Sequence, residues 1–225
     1  EATFKVRPRP ACEEAVVIAA RSVEAAADAA LGLMASELAP LWLEVGGPGA
    51  LPEGPGDGAA VAVGLAGIPE EVAHARARTL ELATARGLRA IIVADGAALR
   101  ARLADFALGP AAAVLRAAML PTEVGAFMAQ ASRSGTALRC LAHAASGVVR
   151  MAVPEARAVA GLVAALRPDL EARGGSLVVE RAPLEVKAQV DVWGDPGEGV
   201  ALMRGIKAAF DPGGLFAPGR FVAGI

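Results

Sequence analysis

Tyrosine is absent from this 225-residue chain, and tryptophan, histidine and cysteine occur twice each. Aromatic residues make up 4% of the sequence, too few to provide a row of platforms for stacked bases. The net charge is −2 and no long basic run occurs, so the electrostatic footprint of a nucleic-acid binder is missing. Cys12 and Cys140 stand far apart in apolar stretches and do not make a disulfide framework. They read as two buried, reduced thiols packing like small hydrophobes, as a reducing cytoplasm allows. No stretch qualifies as a membrane span: the longest candidate, residues 15–35, is broken by Arg21, Glu24 and Asp28. No secretory leader is expected. The first residue is Glu1 rather than methionine, so further protein is expected upstream.

What the chain has in quantity is small apolar residues. It is 55% hydrophobic with mean hydropathy +0.47 and 26 glycines. Much of the apolar content is alanine, which spreads the buried surface thinly. The length suits one large domain or two small ones.

The periodicity shows one topology written twice. In the second half, residues 112–119 read as a strand. Pro121 opens a helix with Val124, Phe127, Met128 and Ala131 on one face, and Gly135 stops it. Residues 136–143 and 148–153 alternate as a hairpin around Ala144-Ala145-Ser146-Gly147. A helix beginning near Pro154 presents Val159, Leu162, Val163 and Leu166, and residues 176–181 form a strand. The first half repeats this βαββαβ order. Strands are expected at 14–20, 41–46, 59–66 and 88–94. Ser22 caps a helix with Val23, Ala27, Leu31, Met34 and Leu38 inward, and Pro69 opens another that Gly87 stops. Asp95 caps a linking helix bearing Leu99, Leu103 and Phe106. The fold expected is α+β: two ferredoxin-like units, about 10–95 and 111–182, sharing an antiparallel sheet with helices on one face. An arm, helix and tail fill 183–225. Residues 3–6 read as an extra strand and 185–193 as an added strand or an extended arm, and the last helix turns Leu202, Met203, Ile206 and Phe210 inward.

Strand parity locates the polar groups. With the hairpin turning near Ala145, Cys140, Ala142, Val149, Met151 and Val153 face the helices. His143 and Arg150 face away, as do Arg116 and Glu180 on their own strands. The strand order then brings Glu180, Arg116, Arg150 and His143 roughly into a row on a face left bare of helices. Two arginines can hold a carboxylate, and a histidine can take a hydroxyl proton near neutral pH. The corresponding face of the first half carries Trp42 and Glu44 but no cation. The same row is equally a solvated sheet face with scattered charges. The glycine-rich stretch from Gly46 to Gly58 reads as a loop rather than a phosphate cradle, because it lacks Gly-Lys-Ser/Thr and its prolines remove amide donors. His74 reads as a surface residue.

The last sixteen residues, from Phe210-Asp211-Pro212-Gly213-Gly214-Leu215-Phe216 through Ala217-Pro218-Gly219-Arg220-Phe221 to Ile225, are unusually apolar and turn-rich for a chain end. They resemble the C-terminal signature of FAD-linked oxidases, the flavoprotein family containing vanillyl-alcohol oxidase, D-lactate dehydrogenase and glycolate oxidase. The resemblance implies a C-terminal cap domain whose tail lies against a flavin-binding half outside this sequence. FAD would be bound mainly by that half, with Pro218, Gly219 and Arg220 as this chain's contribution. Ala217 stands where an asparagine is common. In 2-hydroxy-acid-oxidising members the hairpin carries two histidines and the closing strand a Glu-His pair, and some members hold a metal there through two histidines and a glutamate. Here His143 and Glu180 match, whereas Arg150 and Arg181 replace histidines, so no metal is expected.

Together with Val190-Asp191-Val192-Trp193-Gly194 and Met203-Arg204-Gly205-Ile206-Lys207, this altered hairpin is similar to the FAD-binding subunit of glycolate oxidase. That likeness implies oxidation of a small 2-hydroxy acid to a 2-oxo acid. It also implies a catalytic flavoprotein subunit and an iron–sulfur subunit as partners, and a cytoplasmic location, peripheral to the inner membrane only through those partners. A non-catalytic assembly subunit and a ferredoxin-like small-molecule-binding regulatory module are the alternatives.

Overall fold

The computed structural model describes residues 3–4, 9–55 and 57–225. Eight strands form one antiparallel sheet. In chain order the elements are β1 (Cys12–Ala20), α1 (Val23–Met34), β2 (Trp42–Gly46), β3 (Ala59–Gly67), α2 (Pro69–Ala85), β4 (Arg89–Val93) and α3 (Gly96–Ala104). There follow β5 (Ala113–Ala118), α4 (Val124–Ser132), β6 (Arg139–His143), β7 (Val148–Val153), α5 (Val159–Ala172), β8 (Ser176–Arg181), α6 (Leu184–Lys187) and α7 (Val200–Phe210). The strand order is β4-β1-β3-β2-β6-β7-β5-β8. Each half is a βαββαβ unit, and the units join edge to edge where β2 pairs with β6, as the α+β reading anticipates.

Local chemistry accounts for the helix starts. The Ser22 hydroxyl accepts the Ala25 amide at 3.2 Å, and the Asp95 carboxylate accepts the Ala98 amide at 2.8 Å. Pro69 opens α2, where Glu71 reaches back to the Ile68 amide at 3.3 Å.

The helices α1, α2, α4 and α5 cover one sheet face. The core there contains Val16, Ile18, Leu43, Val61, Phe127, Met128, Met151, Leu166 and Leu177. In α1 the buried stripe is Val23, Ala26, Ala27, Ala29, Ala30 and Leu33, while Met34 is exposed and Leu38 lies beyond the helix. The stripe differs from the expected one because α1 packs on two sides, against the sheet and against α4. A Cβ at Gly125 of α4 would lie 2.9 Å from Ala27 Cβ. Alanines permit that approach, and leucines would not.

Three other readings are corrected. The opposite sheet face is not bare: Leu99 and Leu103 of α3, with Phe106, pack onto Ala15, Val17, Ala60 and Ala62. The linker's apolar side thus finds cover on a floor of small residues, and β3 is buried on both faces through Leu65. Residues 185–193 form no strand. Pro183 precedes the single turn α6, and the segment touches the sheet edge where Val192 O accepts the Val179 amide at 2.8 Å. Val186 and Val190 suit a helical turn, i and i+4, as well as they suit alternation. Finally, α7 turns Leu202, Ile206 and Phe210 outward. Amphipathic spacing identifies an apolar side but not what lies over it. Of the expected strand at 3–6, Thr3 and Phe4 are irregular and residues 5 and 6 lie outside the described residues.

The chain end folds back along α7. The Asp211 carboxylate accepts the Leu215 and Phe216 amides, each at 2.9 Å, and pairs with Lys207 at 2.6 Å. These donors, Lys207 foremost, hold its pKa down at about 2. Trp193 meets Phe221 edge to face at 5.1 Å, and Val222 is buried. Because the folded-state value is depressed, this support is complete above the ordinary aspartate range and fades as pH falls toward 2. Asp211→Asn is therefore expected to speed proteolytic clipping of the tail at neutral pH, with the wild type approaching the variant in acid. A second prediction concerns the hairpin. Gly147 has φ +66°, and a Cβ there would collide with the Met119 carbonyl. Gly147→Ala should cost at least about 2 kcal/mol in urea unfolding.

Candidate active-site cleft

The cleft is built where the two repeats meet. Its floor is strands β2, β6, β7 and β5, and one wall is α3 with the 3-10 turn Asp105–Leu108 that follows it. It has a volume of about 460 Å³ and is lined by Trp42, Glu44, Arg100, Phe106, Leu141, Arg116, His143, Ser146 and Arg150, among others. His143 ends β6, immediately before the 3-10 turn Ala144–Ser146 and the left-handed Gly147.

Three of the four expected row residues line this cleft: Arg116, His143 and Arg150. Glu180 does not line it, but it holds Arg150 across β5 through a fork at 3.0 and 3.4 Å. That reach has a cause. Arg150 and Arg116 are direct cross-strand partners, and like charges so placed repel. Leaning toward Glu180 neutralises one of them. Arg100 is likewise committed, holding Glu13 at 2.8 and 3.1 Å, and Glu13 also accepts the Trp42 indole N–H at 3.1 Å. Among the described residues, Arg116 has neither a hydrogen bond nor a carboxylate partner.

The residue that parity did not pair is Glu44. It lies directly opposite His143 across the β2–β6 seam, and its carboxylate meets His143 Nδ1 at 2.8 Å. Its side chain is 16% exposed, against 43% for the imidazole. The Glu44 carboxylate holds the His143 pKa above the ordinary histidine value, against partial burial and the nearby Arg150 charge. Burial pushes the Glu44 carboxyl up, and the His143 contact opposes that push. A protonated Nδ1 would donate to the Glu44 carboxylate, and Nε2 is the remaining imidazole nitrogen. The sequence did place Glu44 on this face. What it could not give was the edge-to-edge pairing that turns two separate residues into a pair.

Pro218, Gly219 and Arg220 are exposed on the tail and do not line the cleft. Among the described residues, no three His, Cys, Asp or Glu side chains converge as a metal site. Cys140 is buried and apolar surroundings push its thiol pKa to about 12, which removes it from nucleophilic chemistry. Cys12 is half-buried rather than buried. The loop from Gly46 folds through tight turns around Leu51, whose side chain packs against Gly46 and Gly54. Leu51 occupies the space a phosphate cradle would leave open. No described helix is long and apolar enough to cross a membrane.

Residues 194–221 match the family of FAD linked oxidases, C-terminal domain. The fold is similar to that of a solved alkyldihydroxyacetonephosphate synthase, with a TM-score of 0.55 and 11% sequence identity. That likeness covers 92% of this chain and 44% of the synthase chain, so the chain spans under half the length of the protein it matches. No curated protein matches it. The chain therefore has an α+β fold similar to the C-terminal domain of FAD-linked oxidases, and its tail segment matches that family's model.

The Glu44–His143 pair has a consequence for stability. Both shifts are upward, so the folded state binds these protons more tightly than the unfolded chain. The His143 contribution is complete below about pH 6.5 and is lost as pH rises through the folded-state value. Urea unfolding from pH 6 to 9 should show stability declining with pH, and His143→Gln should flatten that decline.

Proposed function

We propose that this chain is the cap domain of an FAD-linked oxidoreductase subunit that oxidises a small 2-hydroxy acid, glycolate being the simplest, to the 2-oxo acid. One observation carries the reading: among the described residues, Arg116 has no carboxylate partner and His143 Nε2 no hydrogen-bond partner, and both side chains line the same cleft. A 2-hydroxy acid presents a carboxylate and a hydroxyl on adjacent carbons. Arg116 suits the first and His143 Nε2 the second. The Arg150–Glu180 pair is partly exposed and worth about 0–1 kcal/mol, so an incoming carboxylate can draw Arg150 away from Glu180.

The glycine-rich loop of this chain packs around Leu51, and the cleft is lined by side chains of β2, β5, β6, β7 and α3, which supports assigning the FAD contacts mainly to the larger protein. In the reading proposed here, FAD associates with the larger protein and supplies a two-electron acceptor when bound. This chain's residues orient the acid and hold the hydroxyl proton. The outward apolar stripe Leu202, Ile206 and Phe210, continued by Leu215 and Phe216, is the surface that would meet the flavin-binding half. Pro218, Gly219 and Arg220 stand at the end of that strap. A catalytic flavoprotein subunit and an electron-accepting iron–sulfur subunit are the proposed partners.

A second reading, a non-catalytic assembly subunit, draws on the commitment of Arg150 to Glu180, which leaves Arg116 as the one unpaired arginine lining the cleft among the described residues. The two separate in the full-length protein, followed by bleaching of flavin absorbance on adding glycolate. Arg116→Ala should raise KM about 100-fold or more, and His143→Gln should lower kcat by about 10²–10⁴. Unchanged bleaching in both variants leaves the assembly reading standing.

A further inference from the structure

We infer that Glu44, contributed by the first repeat, is the positioning residue for His143, contributed by the second. The acid–base unit of the cleft is then completed only by the seam between repeats. The assignment rests on reading His143 as the residue that takes the hydroxyl proton. Three observations support it independently of that reading. Glu44 and His143 are register partners, so both main chains are fixed by the β2–β6 ladder rather than by a loop. The 2.8 Å contact goes to Nδ1, the nitrogen nearer the backbone, which leaves Nε2 without a hydrogen-bond partner among the described residues, on a ring that lines the cleft with Arg116, Arg150 and Ser146. Glu44 is the more buried partner, at 16% against 43%, so the carboxylate is the fixed member and the imidazole the adaptable one.

The charged groups around His143 are Glu44 on β2, Arg116 on β5, Arg150 on β7 and Arg100 on α3, with Glu180 on β8 acting through Arg150. Arg150 disfavours an imidazolium. Among the described residues, Glu44 is the one carboxylate in hydrogen-bond contact with the ring. In the resting pair the Nδ1 proton lies against the Glu44 carboxylate and Nε2 carries a lone pair. With FAD of the larger protein supplying the two-electron acceptor, oxidation of the carbinol would break the hydroxyl O–H bond, and Nε2 would take its proton. The O–H electrons become the second carbonyl bond, and the imidazolium formed is stabilised by Glu44. Holding the tautomer and stabilising the developing cation are what a buried carboxylate behind a histidine contributes.

The test uses the full-length protein labelled with ¹³Cε1-histidine, the His143 signal being identified by its loss in His143→Gln. In Glu44→Gln the His143 titration should move to lower pH. The acid limb of the kcat/KM profile for glycolate should move with it, and kcat should fall about 100-fold with KM changed less than threefold. Glu44→Asp, which keeps the charge, should recover part of both effects and guards against a folding defect in the amide variant. A His143 titration unmoved in Glu44→Gln overturns the pairing outright, whatever the fate of activity. A titration that moves while Glu44→Gln and His143→Gln both turn over at the wild-type rate overturns the catalytic reading of the cleft and reduces the pair to a structural link.

Discussion

The pairing of β2 with β6 is the constraint on which the rest of the structure depends. It consists of three residue pairs, Glu44 with His143, Val45 with Ala142 and Gly46 with Leu141, extended by the Gly47 amide bonding Cys140 O at 2.9 Å. A four-stranded unit with an open edge invites unwanted association. Here each unit covers the other's edge, so eight strands share one sheet. Because side-chain direction alternates with a period of two, a one-residue slip would send Glu44 and His143 to opposite faces. The interaction that joins the repeats therefore also decides whether the cleft has an acid–base pair.

Electrostatics in the cleft follow from how each cation is matched. His143, Arg150 and Arg100 each have a carboxylate, supplied from β2, β8 and β1 respectively. Among the described residues, Arg116 is left unmatched, on a central strand of the second repeat where β7 and β8 flank it. The repeats are alike in topology and unlike in chemistry. The second contributes most of the cations, and the first contributes the carboxylate that conditions one of them.

Local features were legible in the sequence. Ser22, Pro69 and Asp95 mark helix starts, Gly87 and Gly147 take up positive φ, and the hairpin parity separates Met151 from Arg150 correctly. The errors share a cause: each depended on a neighbour supplied by tertiary structure. The α1 stripe was misplaced because α4 adds a second packing side. The second sheet face was read as bare because nothing local says that α3 folds over it. The 185–193 segment alternates like a strand, yet Pro183 and the i, i+4 valines let it turn instead. The partnership of Glu44 with His143 was invisible for the same reason, since it spans 99 residues of sequence.

The linker between the repeats carries a further consequence. Connections between repeated units ordinarily accept insertions and deletions, because little rests on their length. This one carries Leu99, Leu103 and Phe106 into the sheet and Arg100 into the cleft wall. A residue gained or lost in α3 would rotate all four by about 100° around the helix axis. The segment that looks most like a spacer is thus held to a fixed count, and homologous recombination at this joint, normally the gentlest place to exchange halves, would unroof the cleft.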